Sequence, residues 1–354
     1  MVTVRTALRA LARVTALAAA AATVAGAAPP PTPAPPGMTV REHVEVGRVV
    51  VDVRVVASRG EPVTGLAAAD FRALVDGRPA AVESAEWVAG TAPYGEGLTP
   101  EQAAATGGEA APPGRLVVLF FQSDFSAVRL SGLMQMKFRA IDMVAKLQPA
   151  DRVAVASFDS HLELRQDFTG DRARIDAAIH QAILAGGGNA VTAGPPPSLA
   201  ASFDAAAAAR AATPAAGLLV LARALEPLPG AKSLVFFGWG LGTKAGPRVW
   251  LGSSYARARY ALMKARVAVY AIDVTDADGH DLQVGLQRLA ADTGGFYAKT
   301  DLFPGQAITR VEGALAGHYV LVLVRPQGPR GLHSLAVEAP GRALTVLAKP
   351  SFQD

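Results

Sequence analysis

Hydrophobic positions along the chain follow two different periods, and the change between them divides it. From Val44 to Ala57 (VEVGRVVVDVRVVA), Val49, Val51, Val53 and Val55 alternate with Asp52 and Arg54, which predicts a half-buried antiparallel strand. Gly60, Pro62 and Gly65 then turn the chain. Asp76-Gly77, between Phe71–Val75 and Ala80–Val88, signals a tight hairpin. Residues 44–88 therefore read as a small β module, and the Gly/Ala/Pro/Thr-rich residues 89–114 as a flexible loop.

From Arg115 the period changes. Leu116–Phe121 is a near-continuous apolar run, as in a strand covered on both faces, and Leu130–Leu147 carries Leu130, Leu133, Met134, Phe138, Ile141, Val144 and Leu147 at helical spacing. Arg152–Phe158 predicts a second core strand with His161–Asp167 as an edge beside it, and Asp171–Leu184 carries Ile175, Ile179 and Ile183 on one helical face. A long alanine-rich helix is predicted from Ser198 to Leu225, with a break at Pro214. Strands at Lys232–Phe237 and Arg266–Ile272 alternate with helices at Ser254–Lys264, Asp281–Asp292 and Gly305–Ala316. This alternation over residues 115–317 predicts an α/β fold with a doubly wound, mostly parallel sheet. Strands at Tyr319–Val324, Ser334–Glu338 and Leu344–Leu347 follow; residues 318–354 are expected to pack with the N-terminal β module as an accessory.

The N-terminus adds a destination. Arg5, Arg9 and Arg13 precede the apolar Val14–Ala25, and Ala25-Gly26-Ala27 fits a small-x-small cleavage site, so residues 1–27 read as a signal peptide. Residues 28–43 form a Pro-rich spacer. The expected location is secreted or periplasmic, with no membrane span after cleavage. The chain has no cysteine, so its core alone must hold it. Formal charge is +4, of which the leader supplies three arginines, leaving +1, and the other basic residues are scattered. Nucleic acid is therefore not an expected partner.

Several segments, in order, carry a family resemblance: VTGLAAADFRALVDGRPAAV, RLVVLFFQSD, LQPADRVAVASF, LPGAKSLVFFGWG, VAVYAIDV, LQRLAADTGGFY and GHYVLVLVRP. Together they resemble the von Willebrand factor A fold, specifically the bacterial secreted "VWFA-related" family, from about Val44 to Lys349. That resemblance implies a metal-ion-dependent adhesion site at the carboxyl ends of the strands. It is built from an Asp-x-Ser-x-Ser turn, a loop Thr, and an Asp after the strand opposite.

Carried onto this chain, the implied ligand order is broken. One register places Gln122 at the first Asp, with Asp124 and Ser126 at the two Ser positions; a two-residue shift places Asp124 and Ser126 at Asp and Ser and loses the second Ser to Val128. Thr192 could stand for the loop Thr, and Gly238 or Trp239 occupies the position of the opposite Asp. The expected edge thus comprises Gln122, Asp124, Ser126, Thr192, Gly238 and Trp239, with Asp124, Ser126 and Thr192 the metal ligands if Mg²⁺ or Ca²⁺ binds weakly.

Other chemistry is sparse. Asp273, Asp276 and Asp278 read as a solvated turn, and the Gly-rich Gly186–Asn189 and Gly238–Gly246 as loops without P-loop order. There is no H-E-x-x-H and no G-x-S-x-G; Asp124, Ser126 and His280 could converge as a triad only by location. Phe237, Trp239 and Trp250 form either an aromatic contact surface or core. The expectation is an exported, non-enzymatic interaction protein (adhesion or scaffold), metal-independent or weakly metal-dependent, that binds an unknown protein partner through its carboxyl-edge loops and has no cofactor beyond a weakly held Mg²⁺ or Ca²⁺. The alternatives are a Mg/Ca-dependent adhesin through Asp124, Ser126 and Thr192, or a hydrolase in the same pocket.

Overall fold

Two sheets organise the protein, and each follows from the period of its strands. The structure, a computed structural model, describes residues 47–90, 114–123, 127–184, 191–275, 279–300, 304–341 and 343–354. In chain order its first elements are β1 (Arg48–Val56), a 3₁₀ turn (Ala68–Asp70), β2 (Arg72–Val75), β3 (Arg78–Ala89), β4 (Leu116–Gln122) and α1 (Ala127–Ala145). Next come β5 (Arg152–Phe158), β6 (Leu162–Thr169), α2 (Arg172–Leu184), α3 (Ala205–Ala209), α4 (Pro214–Leu225) and β7 (Lys232–Gly238). They are followed by β8 (Thr243–Ala245), β9 (Arg248–Trp250), α5 (Gly252–Lys264), β10 (Val267–Asp273) and α6 (Gln283–Thr293). The chain closes with β11 (Tyr297–Lys299), α7 (Pro304–Leu315), β12 (Gly317–Val324), β13 (Leu332–Glu338), β14 (Thr345–Ala348) and β15 (Ser351–Gln353).

The central sheet has six strands in the order β11-β10-β7-β4-β5-β6; all neighbours are parallel except β5 and β6. Every residue of β4, β7 and β10 is buried, as their unbroken apolar runs require of strands covered on both faces. Leu116, Val118 and Phe120 face one helix layer with Leu218 and Leu221 of α4 and Leu262 of α5. Val117, Leu119 and Phe121 face the other, with Met136 and Met143 of α1, Ile179 of α2 and Val311 of α7. Phe120 stacks on Phe236 and Phe121 on Phe237, centroids 4.6 and 4.8 Å apart, so one aromatic pair fills each face. The fold is mixed α/β.

The second sheet runs β14-β1-β12-β3-β2-β13-β15. β14 and β15 are neighbours in sequence yet sit at opposite ends of that order, so the sheet is rolled until its two edges approach. Val51, Val53, Val55, Phe71, Val75, Leu321 and Leu335 fill its inside. Tyr319 sits among them: its hydroxyl donates to the Val63 carbonyl and accepts from the Leu66 N–H, each at 3.0 Å. The alternate residues of β1 point the other way. Val56 joins the α7 layer, while Asp52 and Arg54 are carried to the amino end of the central sheet.

Three local expectations are corrected. The alanine-rich stretch does break at Pro214, but before it the chain holds only a 3₁₀ turn (Ala200–Ser202) and the short α3 in place of one long helix. Asp204 and Thr213 each accept an N-cap hydrogen bond, from the Ala207 and Ala216 N–H groups, and so restart the helix twice. In α1 the buried stripe runs through Leu133, Met136, Ala140 and Met143, which leaves Phe138 57% exposed. The Gly238–Gly246 segment is not all loop: it includes β8 and leads through Gly246, at φ 62°, and Pro247 into β9, forming a hairpin. Among the described residues, no helix is long and apolar enough to cross a membrane.

Candidate functional site

β4, β7 and β10 end together at Gln122, Gly238 and Asp273, the edge where open α/β sheets place their ligands. Gln122 is the polar residue that stops the apolar run of β4, and it is 2% exposed. Its Oε1 accepts the Trp239 N–H at 3.2 Å, tying the end of β4 to the turn after β7. Gly238 is required for that approach. A Cβ there would lie 2.3 Å from the Phe236 ring and 2.6 Å from Gln122 Oε1. Ser123 continues the edge: its N–H donates to the Phe158 carbonyl and its hydroxyl to the Ala182 carbonyl at 2.6 Å.

Trp239 lies half-buried across this junction, with the Arg129 guanidinium 3.7 Å from its ring centroid. α1 carries Arg129 there because its Gly132 rests directly on the loop after β10, where a Cβ would meet the Val274 carbonyl oxygen at 1.9 Å. Two buried polar atoms beside this stack, Trp239 Nε1 and Thr275 Oγ1, have no hydrogen-bond partner among the described residues. Orphans of this kind cost stability and in native proteins concentrate where function outranks packing.

Asp273 departs from the solvated turn expected for its acidic cluster. It is fully buried, and its Oδ2 takes hydrogen bonds from His280 Nε2 at 2.8 Å and the Tyr297 hydroxyl at 2.7 Å. Its Oδ1 accepts the Thr275 N–H at 3.0 Å, and its carbonyl accepts from Thr300. This carboxylate fastens the segment after β10 to β11. Asp276 and Asp278 lie outside the described residues, as do Asp124 and Ser126. Among the described residues no serine or threonine hydroxyl bonds to His280.

The residues assigned to the edge divide accordingly. Gln122, Gly238 and Trp239 meet at one junction. Thr192 is exposed, and no described contact joins it to them. Its loop is held instead by Asp167 of β6, whose carboxylate accepts from the Gly194, Leu199, Ala200 and Phe168 N–H groups and the Ser198 hydroxyl. Of the aromatic trio, Phe237 is core and Trp239 is half-buried, while Trp250 on the hairpin is 66% exposed.

Hard divalent cations need several free oxygen ligands. Here Gln122 Oε1 is committed to an N–H, Gly238 and Trp239 have no side-chain oxygen, and a guanidinium covers the ring. Gln122, Gly238 and Trp239 by themselves do not supply such a ligand set. Sequence reasoning missed the Arg129–Trp239 stack and the Asp273–His280–Tyr297 network. Only an Asp closing a strand, with a His seven positions on, hinted at the latter.

No family model and no curated protein matches the chain. Solved structures it is similar to include a von Willebrand factor type A protein from Catenulispora acidiphila, at 10% identity over 88% of this chain and 74% of that one, TM-score 0.39. Another is BatB from Bacteroides thetaiotaomicron, at 14% identity over 56% of this chain and 97% of that one, TM-score 0.37. A third is the PilB minor pilin from Streptococcus sanguinis, at 14% identity over 57% of this chain and 60% of that one, TM-score 0.34. At these low scores the functional reading rests on the site.

Proposed function

We propose that this is an exported, non-enzymatic interaction protein: a factor A-like, doubly wound domain that contacts a protein partner through its carboxyl-edge loops without a bridging metal. The observation that carries the reading is the Gln122–Trp239–Arg129 junction, where an amide, an indole and a guanidinium occupy the place the family resemblance gives to carboxylates and a cation. A metal-dependent adhesion site borrows its partner's carboxylate for the ion. This edge presents its own cation and aromatic rings, the residue types enriched at protein–protein contacts.

The β8–β9 hairpin extends the surface. Trp250 is 66% exposed and Val284, at the start of α6, is 52% exposed. The hairpin and the residues leading into it are tied to the turn before α6 by the Lys244–Asp281 ion pair and the Leu241 N–H to Leu282 carbonyl bond at 3.3 Å. The hydrolase alternative has the Asp273–His280 pair on its side but no bonded nucleophile among the described residues.

The test uses the immobilised chain against envelope and culture-fluid proteins of its own source. A discrete partner should be retained equally in EDTA and in Mg²⁺. Trp250→Asp should cut retention about tenfold, the order of a lost interface anchor. Retention that requires Mg²⁺, or that ignores Trp250→Asp and Trp239→Ala alike, would contradict the proposal.

A further inference from the structure

The amino end of the central sheet holds a different constellation. Asp52 of β1 faces Arg266, which grips it through Nε at 2.9 Å and through Nη2. Around this pair stand Lys349, just after β14, Lys232 at the start of β7, His318 on β12 and Arg54 on β1; Asp52 is the carboxylate whose charge bears on both lysines and the histidine. One carboxylate thus faces four cationic side chains and an imidazole in a partly desolvated place, a balance proteins normally avoid.

The donors are under-used as well. Arg266 Nη1 is buried without an acceptor among the described residues. Lys349 Nζ donates to the Met263 carbonyl at 3.0 Å, and an ammonium has further protons to give. The Ser351 hydroxyl is aimed at the Met263 thioether at 3.8 Å, a weak acceptor that an oxyanion would replace readily.

These groups line one cleft. It has a volume of about 250 Å³ and is walled by Asp52, Arg266, Lys349, Ser351 and Gln353, with Phe352 and Leu335 as its apolar side. We propose that this cleft is a binding site for a small oxyanion, phosphate or a phosphomonoester, held by Lys349, Arg266 and the Ser351 hydroxyl. A tetrahedral anion accepts several charge-assisted hydrogen bonds at once, which suits donors converging from a guanidinium, an ammonium and a hydroxyl. It would also supply the missing negative charge. Burial, with Arg266 beside it, pushes Lys349 down to about 8, and burial with the Arg266 and Lys349 cations pushes Lys232 down to about 7. The site lies at the opposite end of the sheet from the interaction edge.

Calorimetric titration of the whole chain at about pH 7 and constant ionic strength tests this, with inorganic phosphate, phenyl phosphate and sodium chloride as titrants. One phosphate per chain should bind saturably, and chloride should not. Tighter phenyl phosphate would point to a phosphorylated organic ligand, since the Phe352 side would take the ring; tighter inorganic phosphate would point to the free ion. Lys349→Gln should weaken binding about tenfold, as loss of one charge-assisted bond does. Gln353→Glu, on the exposed rim and without consequence for the core, should weaken it at least as much by placing a carboxylate at the mouth. Absence of saturable binding by either phosphate, or equal affinity in wild type and Gln353→Glu, would overturn the site.

Discussion

Asp52→Asn is expected to destabilise the protein by about 3–5 kcal/mol, the cost of removing one partner from a buried ion pair. The side chain of Asp52 is 9% exposed and that of Arg266 20%, so water from the cleft replaces the lost carboxylate only in part. Burial alone would raise the Asp52 carboxyl; Arg266, His318 and Lys349 more than reverse it and hold it far below the usual carboxylate range. Asn preserves shape and one acceptor oxygen, so the loss reports charge rather than packing.

The pH dependence has a defined sign. Lys349 and Lys232 titrate in the folded state at about 8 and about 7, below the unfolded lysine value of about 10.4. The folded state therefore gives up their protons first, and their charges are absent near pH 9 in either protein. Asp52 then has only the arginines to compensate, and the deficit of Asp52→Asn should be smaller near pH 9 than near pH 7. Urea midpoints at the two pH values, for both proteins, give the comparison. A deficit below about 1 kcal/mol, the scale of an exposed pair, would mean that solvent reaches the cluster freely.

Asp167→Ala should cost about 2–4 kcal/mol, because it strips acceptors from a hydroxyl and several N–H groups in a carboxylate cage that is 4% exposed. Residues 194–200 would lose their anchor, so hydrogen exchange should accelerate there before it does in β4 or β7. Burial raises the Asp167 carboxyl, but the Ser198 hydroxyl and the Gly194, Ala200 and Phe168 N–H groups outweigh it and leave the group below its ordinary value. A depressed carboxylate stabilises fully above its unfolded value of about 3.9 and loses that contribution as pH falls through the folded value. The gap between wild type and Asp167→Ala should thus be full near neutral pH and close only in acid below about pH 4. A gap that does not change with pH would assign the effect to packing.

How much of this was legible depends on what fixes each feature. β4, β7 and β10 could be read from Leu116–Phe121, Lys232–Phe237 and Arg266–Ile272 because a strand buried on both faces must be continuously apolar. The Asp76-Gly77 hairpin was legible for a local reason: both residues adopt positive φ, 50° and 74°, which that dipeptide tolerates. The rolled order that brings Lys349 beside Asp52 was not, since it depends on pairings between residues about three hundred positions apart. Capping explains the alanine stretch: composition favoured one helix, and two side-chain caps, at Asp204 and Thr213, decided otherwise.

At the site, Gln122, Gly238 and Trp239 could be placed at one sheet edge from the sequence, but not what packs on them. Arg129 reaches Trp239 only because Gly132 lets α1 settle on the Val274 carbonyl. Asp273 looked like one of three acidic residues on a turn; its burial follows from Tyr297 and His280 arriving from separate segments.

The claim that this edge engages its partner without a metal is tested most directly by calorimetric titration with Mg²⁺, Ca²⁺ and Mn²⁺, on wild type and on Asp124→Ala. The account predicts no saturable sub-millimolar binding in either protein. Sub-millimolar binding in wild type that Asp124→Ala abolishes would contradict it and restore the metal to the site.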